Sequence, residues 1–221
     1  MKSTPTIPEL HNEENYELLA AVKLSDIRDF VISQVGKDQK LIPLYAVYQT
    51  LLFLLGLFFL TRAVVLAFKG SPVYLVVVTV SLLLGFTLLV VLHELLHGMA
   101  LKIAGAGKVS FGGSLRKFIF YAEADRFVMG KNRYLAVALT PLVVIQLISL
   151  AGILIWYDSP AVYFFLMLMT IHSFFCAGDI AMSALFYRLP GRKIFTYDHA
   201  AEKTCYFFAE KKEANGNPCP T

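Results

Sequence analysis

Residues 72–92 form one apolar run that ends directly in His93-Glu94-Leu95-Leu96-His97. A run of that length reads as a membrane helix that continues through the motif. Two histidines four residues apart then lie one turn above the other on the same face. Both imidazoles can reach one metal ion, and Glu94 projects beside it, where it can take a proton from an attacking water. Imidazole ligands with an open fourth position favour zinc. An H-E-x-x-H string also arises by chance on the wet face of a soluble helix. Here apolar residues 88–92 precede it and Gly98-Met99-Ala100-Leu101 follow it. Ionisable groups in such a setting are expensive and are usually functional.

The rest of the chain has the same character. Of its 221 residues 57% are hydrophobic and 16% charged, against about 25% charged in a typical soluble domain. The apolar residues cluster into four runs, so the expected fold is an all-α polytopic membrane protein with four transmembrane helices. The spans fall at about 41–68, 72–103, 134–157 and 161–189. The second is about 30 residues, roughly 45 Å, so it has to tilt or project. The third contains Pro141, which removes one helical hydrogen bond and favours a kink. Residues 104–133 are the long polar connection. Lys108–Phe111 and Leu115–Tyr121 read there as a small β-hairpin around Gly112-Gly113. Three segments are expected: a polar tail 1–40, the membrane domain 41–189 with the metal site, and a polar tail 190–221 ending in a disordered stretch. Residues 25–35 read either as an amphipathic helix on the membrane surface or as loose tail. No signal peptide is expected.

Basic residues set the orientation. The first tail carries Lys2, Lys23, Arg28, Lys37 and Lys40. The connection and its edges carry Lys102, Lys108, Arg116, Lys117, Arg126, Lys131 and Arg133. The last tail and its edge carry Arg188, Arg192, Lys193 and Lys203. The two opposite turns offer only Arg62 and Lys69. By the positive-inside rule both termini and the connection are cytoplasmic. That bias also accounts for the basic residues without nucleic acid. Cys176, Cys205 and Cys219 form no Cys-x-x-Cys pair, so neither a disulfide framework nor a thiolate metal site is expected.

Only Glu94 and Asp179 are acids within the expected spans. A lone aspartate in a membrane helix needs a partner. That partner is a serine, threonine or backbone group of a neighbouring helix, or the zinc expected nearby. Gly178 beside it would let another backbone approach. His172 competes for the same role from the same helix. Depth favours Asp179. It precedes Arg188 by about 9 residues, roughly 14 Å, as His93 precedes Lys102, whereas His172 lies about two turns deeper. His172 then reads as a neutral histidine hydrogen-bonded within the bundle, and His11 and His199 as solvated tail residues.

The HELLHG helix, the glycine-containing connection, a helix with Ala-Leu-Thr-Pro-Leu and a later helix with Gly-Asp together resemble the zincin-peptidase family of bacterial and archaeal membranes. That family is in turn similar to the site-2 proteases, intramembrane zinc endopeptidases. The resemblance spans about residues 40–200. It implies His93, His97 and Asp179 as zinc ligands, Glu94 as catalytic base, a prokaryotic inner-membrane location, and a membrane protein or peptide as substrate. Site-2 proteases usually carry Asp-Gly where this chain has Gly178-Asp179. The expected activity is a zinc-dependent, membrane-embedded peptidase. A helical substrate has to be extended first, and the hairpin either offers a strand edge to hold it or lies on the membrane surface. A catalytically silent metal-binding scaffold or metal carrier would use the same ligands without needing Glu94.

Overall fold

The computed structural model describes residues 4–211 apart from 36, 39 and 115–118. In chain order they form α1 (Ile7–Leu10), β1 (Tyr16–Lys23), a 3-10 turn (Leu24–Asp26), α2 (Ile27–Val35), α3 (Leu41–Phe68), α4 (Val73–Phe86) and α5 (Leu88–Ile103). The short strands β2 (Ser110–Ser114), β3 (Ile119–Glu123) and β4 (Met129–Gly130) follow. Then come α6 (Lys131–Ile155), α7 (Ala161–Phe175), α8 (Ala177–Ala184) with a 3-10 turn (Leu185–Tyr187), β5 (Ile194–His199) and β6 (Thr204–Glu210).

Two helices, α3 and α6, are each long and apolar enough to cross a membrane, and α6 runs through Pro141 without interruption. The other two expected spans are broken. The α4–α5 pair bends by 45° and the α7–α8 pair, with its following turn, by 40°. The first break falls at Thr87, whose backbone leaves the helical region at φ −120°, ψ −83°. Its hydroxyl donates to the Leu83 carbonyl at 2.7 Å, which satisfies an acceptor that the break exposes. Each bent pair counts as one span if it crosses entire, giving four. Around the helices runs an apolar belt. Leu51, Leu54 and Phe58 of α3, Val76 and Leu83 of α4, and Leu147 and Leu154 of α6 are all more than half exposed. An exposed apolar surface of this extent is consistent with a membrane protein.

The all-α expectation and the two polar tails are corrected by a four-stranded antiparallel sheet in the order β1-β6-β5-β4. β1 comes from the first tail and β6 from the last, paired with Tyr16 opposite Glu210 and Lys23 opposite Thr204. β5 and β6 escape a reading by alternation because they are covered on both faces, so buried residues follow one another in sequence. Phe207 points to one face and packs with Val22, Ile194 and Cys205 against Met182, Leu185 and Phe186 at the end of α8. Its neighbour Phe208 points to the other and packs with Tyr197 and Leu10 of α1. Residues 212–221, where a disordered end was expected, lie outside the described residues.

The hairpin exists in a shifted register. Gly112 and Gly113 lie within β2, opposite Tyr121 and Phe120, and not in the turn. Arg116 and Lys117, in the connection between the strands, lie outside the described residues. A Cβ at Gly98 would collide with the Phe111 ring, so β2 lies against α5 at the one residue after His97 that has no side chain. Gly178, expected to admit a neighbouring backbone, has nothing within reach of an added Cβ. It lies instead on the wall of the cavity described next.

Candidate metal centre

The helix breaks decide what meets inside the bundle. α5 carries His93 and His97 on one buried face, each less than a tenth exposed. Directly after the Cys176 break, α8 turns Asp179 toward them. His93 Nε2 and His97 Nε2 are 3.1 Å apart. Each faces one oxygen of Asp179, His93 Nε2 to Oδ2 and His97 Nε2 to Oδ1, both at 3.3 Å.

The chemistry of these atoms fits a cation. His97 Nδ1 is 3.1 Å from the Val137 carbonyl of α6, which can only accept. The proton therefore sits on Nδ1, and Nε2 presents a lone pair. Asp179 Oδ2 is buried and has no hydrogen-bond partner. Two imidazole nitrogens and a carboxylate converge at 3.1–3.3 Å in a buried place, an arrangement that needs a shared positive charge, a proton or a metal ion, to hold it together. Four ligands at about 2.0–2.1 Å in a tetrahedron stand roughly 3.3 Å from one another, so the observed spacing suits zinc. Two histidines and one carboxylate leave the fourth corner open, as catalytic zinc sites do.

Glu94 follows His93 and is directed into a cavity of about 930 Å³. One of its oxygens, Oε2, is buried without a partner. The backbone N–H of Ala122 on β3 faces the carboxylate. Phe120, Tyr121 and Ala122 of β3 line the cavity together with His93, His97 and Asp179. Among the described strands β3 pairs with β2, and it packs against α5. The far wall is α2, expected as surface helix or loose tail, which packs on α8 and contributes Ile27, Arg28, Val31 and Ile32. Asp198 of β5 also reaches the cavity. Burial pushes its carboxyl up to about 6 from an ordinary 3.8, and Glu123 and Asp125 add repulsion.

The residues expected at the site, His93, Glu94, His97 and Asp179, thus meet around one point. The depth expectation for His172 is corrected. Instead of lying two turns away, it stands with Nε2 3.1 Å from His93 Nδ1, on the side of the ring away from Asp179. The bends at Thr87 and Cys176 change the registers that straight, parallel helices would have kept. The Val137 carbonyl, the Ala122 amide and α2 carry no sequence signal, since backbone groups are common to every residue. Asp198 had one, an acid in a segment of bulky apolar residues, but only with the strand known does it point anywhere.

No curated protein and no solved structure is significantly similar to the chain. Residues 86–194 match the family model described as “putative zincin peptidase”, a stretch that runs from the end of α4 through α5, the hairpin and α6 to the first residue of β5. The match covers His93, Glu94, His97 and Asp179 together and suggests a metallopeptidase whose metal is zinc.

Proposed function

We propose that this chain is a zinc-dependent peptidase embedded in a membrane, acting on membrane or membrane-proximal peptides. The observation that carries the reading is Glu94. It lies beside a three-ligand set with its free oxygen turned into the cavity and no structural partner for it. A silent metal-binding scaffold or carrier has no use for a carboxylate buried in this way, whereas hydrolysis does. His93, His97 and Asp179 would hold the zinc, which would supply Lewis-acid polarisation of water and of the scissile carbonyl. Glu94 takes the proton of the attacking water and later returns it to the leaving amine. β3 and Glu94 line the same cavity, so an extended substrate segment can lie along that wall beside the ligand set.

The sheet supports four crossings. β1 precedes α3, β4 stands between α5 and α6, and β5 and β6 follow α8, yet all four strands form one sheet. Strands in one sheet lie on one side of a bilayer, so an even number of crossings separates each from the next. α3 with α4–α5 makes two, and α6 with α7–α8 makes two more. The basic bias puts that side in the cytoplasm. The deciding experiment uses purified protein in bilayer vesicles with a set of membrane peptides. Bound zinc and peptide cleavage that disappears in Glu94→Gln are expected. Zinc binding with no cleavage of any peptide by the unaltered chain would favour the scaffold or carrier.

A further inference from the structure

His172 has no part in the reading just given. It is fully buried at 0% exposure, in the last turn of α7. Its Nε2 lies 3.1 Å from His93 Nδ1, with the two rings 5.3 Å apart and inclined by 59°. Cys176 Sγ lies 3.7 Å from both nitrogens of His172 and 4.0 Å from His93 Nδ1, so the sulfur packs over the contact. The end of α7 is itself fixed. The Tyr45 hydroxyl of α3 donates to the Ser173 carbonyl at 2.6 Å, and the Thr170 hydroxyl donates to the Leu52 carbonyl at 3.1 Å.

The two nitrogens of one imidazole face opposite ways, and His93 uses both. Its Nε2 faces Asp179 and His97, and its Nδ1 faces His172. An ion held on the Nε2 side is out of reach of His172. It also fixes the tautomer: a lone pair on Nε2 puts the ring proton on Nδ1, and His172 Nε2 at 3.1 Å is a nearer and stronger acceptor for it than the Cys176 sulfur at 4.0 Å. We propose that His172 is a positioning residue, accepting the Nδ1–H of His93 to hold that ring in the tautomer and plane that zinc requires. This rests on the zinc reading of His93, His97 and Asp179. His97 has the equivalent support from the Val137 carbonyl. Both supports are neutral, where a carboxylate would raise the basicity of the imidazole it holds. Asp179 is then the one negative ligand, and the metal keeps most of its power to polarise.

The test compares the detergent-solubilised full chain with His172→Leu, which fills the space without an acceptor, and His172→Gln, which restores a neutral acceptor. Zinc affinity is measured by competition with a chromophoric chelator, and ligand geometry by the visible absorption of the cobalt-substituted protein. His172→Leu should weaken zinc by about 10–100-fold, and His172→Gln should recover to within about threefold of the unaltered chain. Both should keep a tetrahedral cobalt spectrum. Unchanged affinity in His172→Leu overturns the proposal, as does His172→Gln behaving no better than His172→Leu. Asp179→Ala separates the two levels. If it keeps zinc, the ligand set is wrong. If it loses zinc while His172→Leu does not, only the role of His172 fails. If His172→Leu does not fold, the unaltered zinc form labelled with 15N-histidine decides. A scalar coupling across the hydrogen bond between His93 Nδ1–H and His172 Nε2 is expected, and its absence overturns the proposal.

Discussion

The five histidines divide into two groups, three inside the helices and two on the sheet, and the groups differ in what surrounds them. His11 Nε2 lies 2.8 Å from the Tyr197 hydroxyl, which can give or take a proton. The Arg126 guanidinium donates to His199 Nε2 at 3.3 Å. Both therefore have a partner whose proton completes the bond, and both stand at the edge of water. His93 and His97 instead turn their Nε2 atoms toward each other and toward a carboxylate, at 3.1–3.3 Å and away from water. A histidine becomes a metal-site candidate through the convergence of unsatisfied acceptors, not through its presence or its nearness to an acid. His199 has Glu202 at 3.7 Å and makes no such set among the described residues.

The largest effect expected from this contrast is on metal content. His97→Ala and Asp179→Ala should drop zinc from about one equivalent to background, whereas His11→Ala and His199→Ala should leave it unchanged. Elemental analysis of the purified proteins decides, and zinc lost from the sheet variants would erase the distinction. Next in size is Glu94→Gln, which keeps the ligands but cannot accept a proton. Hydrolysis should fall by about 10²–10⁴-fold with zinc retained, as a missing general base predicts.

A smaller effect tests the sheet wall of the cavity. Asp198 has its carboxyl raised by burial to about 6. Between pH about 4 and 6 the folded chain holds a proton there that the unfolded chain has released, so stability falls as pH rises through that window. Asp198→Asn cannot ionise. It should unfold at a higher temperature than the unaltered chain at pH 7–8, by a margin on the order of 1–2 kcal/mol, and show no gain at pH 4. An equal difference at both values would mean that ionisation is not what burial penalises. The smallest effect concerns Arg192, which pairs with Glu17 of β1 and donates to the Glu210 carbonyl of β6. Glu17 is 43% exposed, so Arg192→Ala should cost about 1 kcal/mol or less and leave zinc content untouched.

The helices were legible wherever composition alone decides. α3 covers residues 41–68 as its apolar run predicts, because a stretch that is apolar all round has no other low-energy arrangement. The sheet was not legible. β1 contains Leu18-Leu19-Ala20-Ala21, which suits a helix as well as a strand, and its partner β6 lies almost the whole chain away. The breaks at Thr87 and Cys176 were hidden for a related reason. Thr and Cys are tolerated inside helices, and no glycine or proline occupies either break position. The cavity wall formed by α2 depends on docking against α8, which no local pattern in residues 27–35 encodes.

The sequence by itself determined the HExxH helix, its apolar setting, and the lone aspartate that had to find a partner. These follow from helical period and from the cost of burying a charge, which are properties of a few neighbouring residues. Only the tertiary structure decided which nitrogen of each histidine faces Asp179, that His172 stands on the side of the His93 ring away from Asp179, and that strands from residues 16–23 and 204–210 join one sheet. Those facts depend on two bends of 40–45° and on pairing between residues nearly two hundred positions apart. A bend or a distant pairing is fixed by the packing of the whole bundle, and no short stretch of sequence contains it.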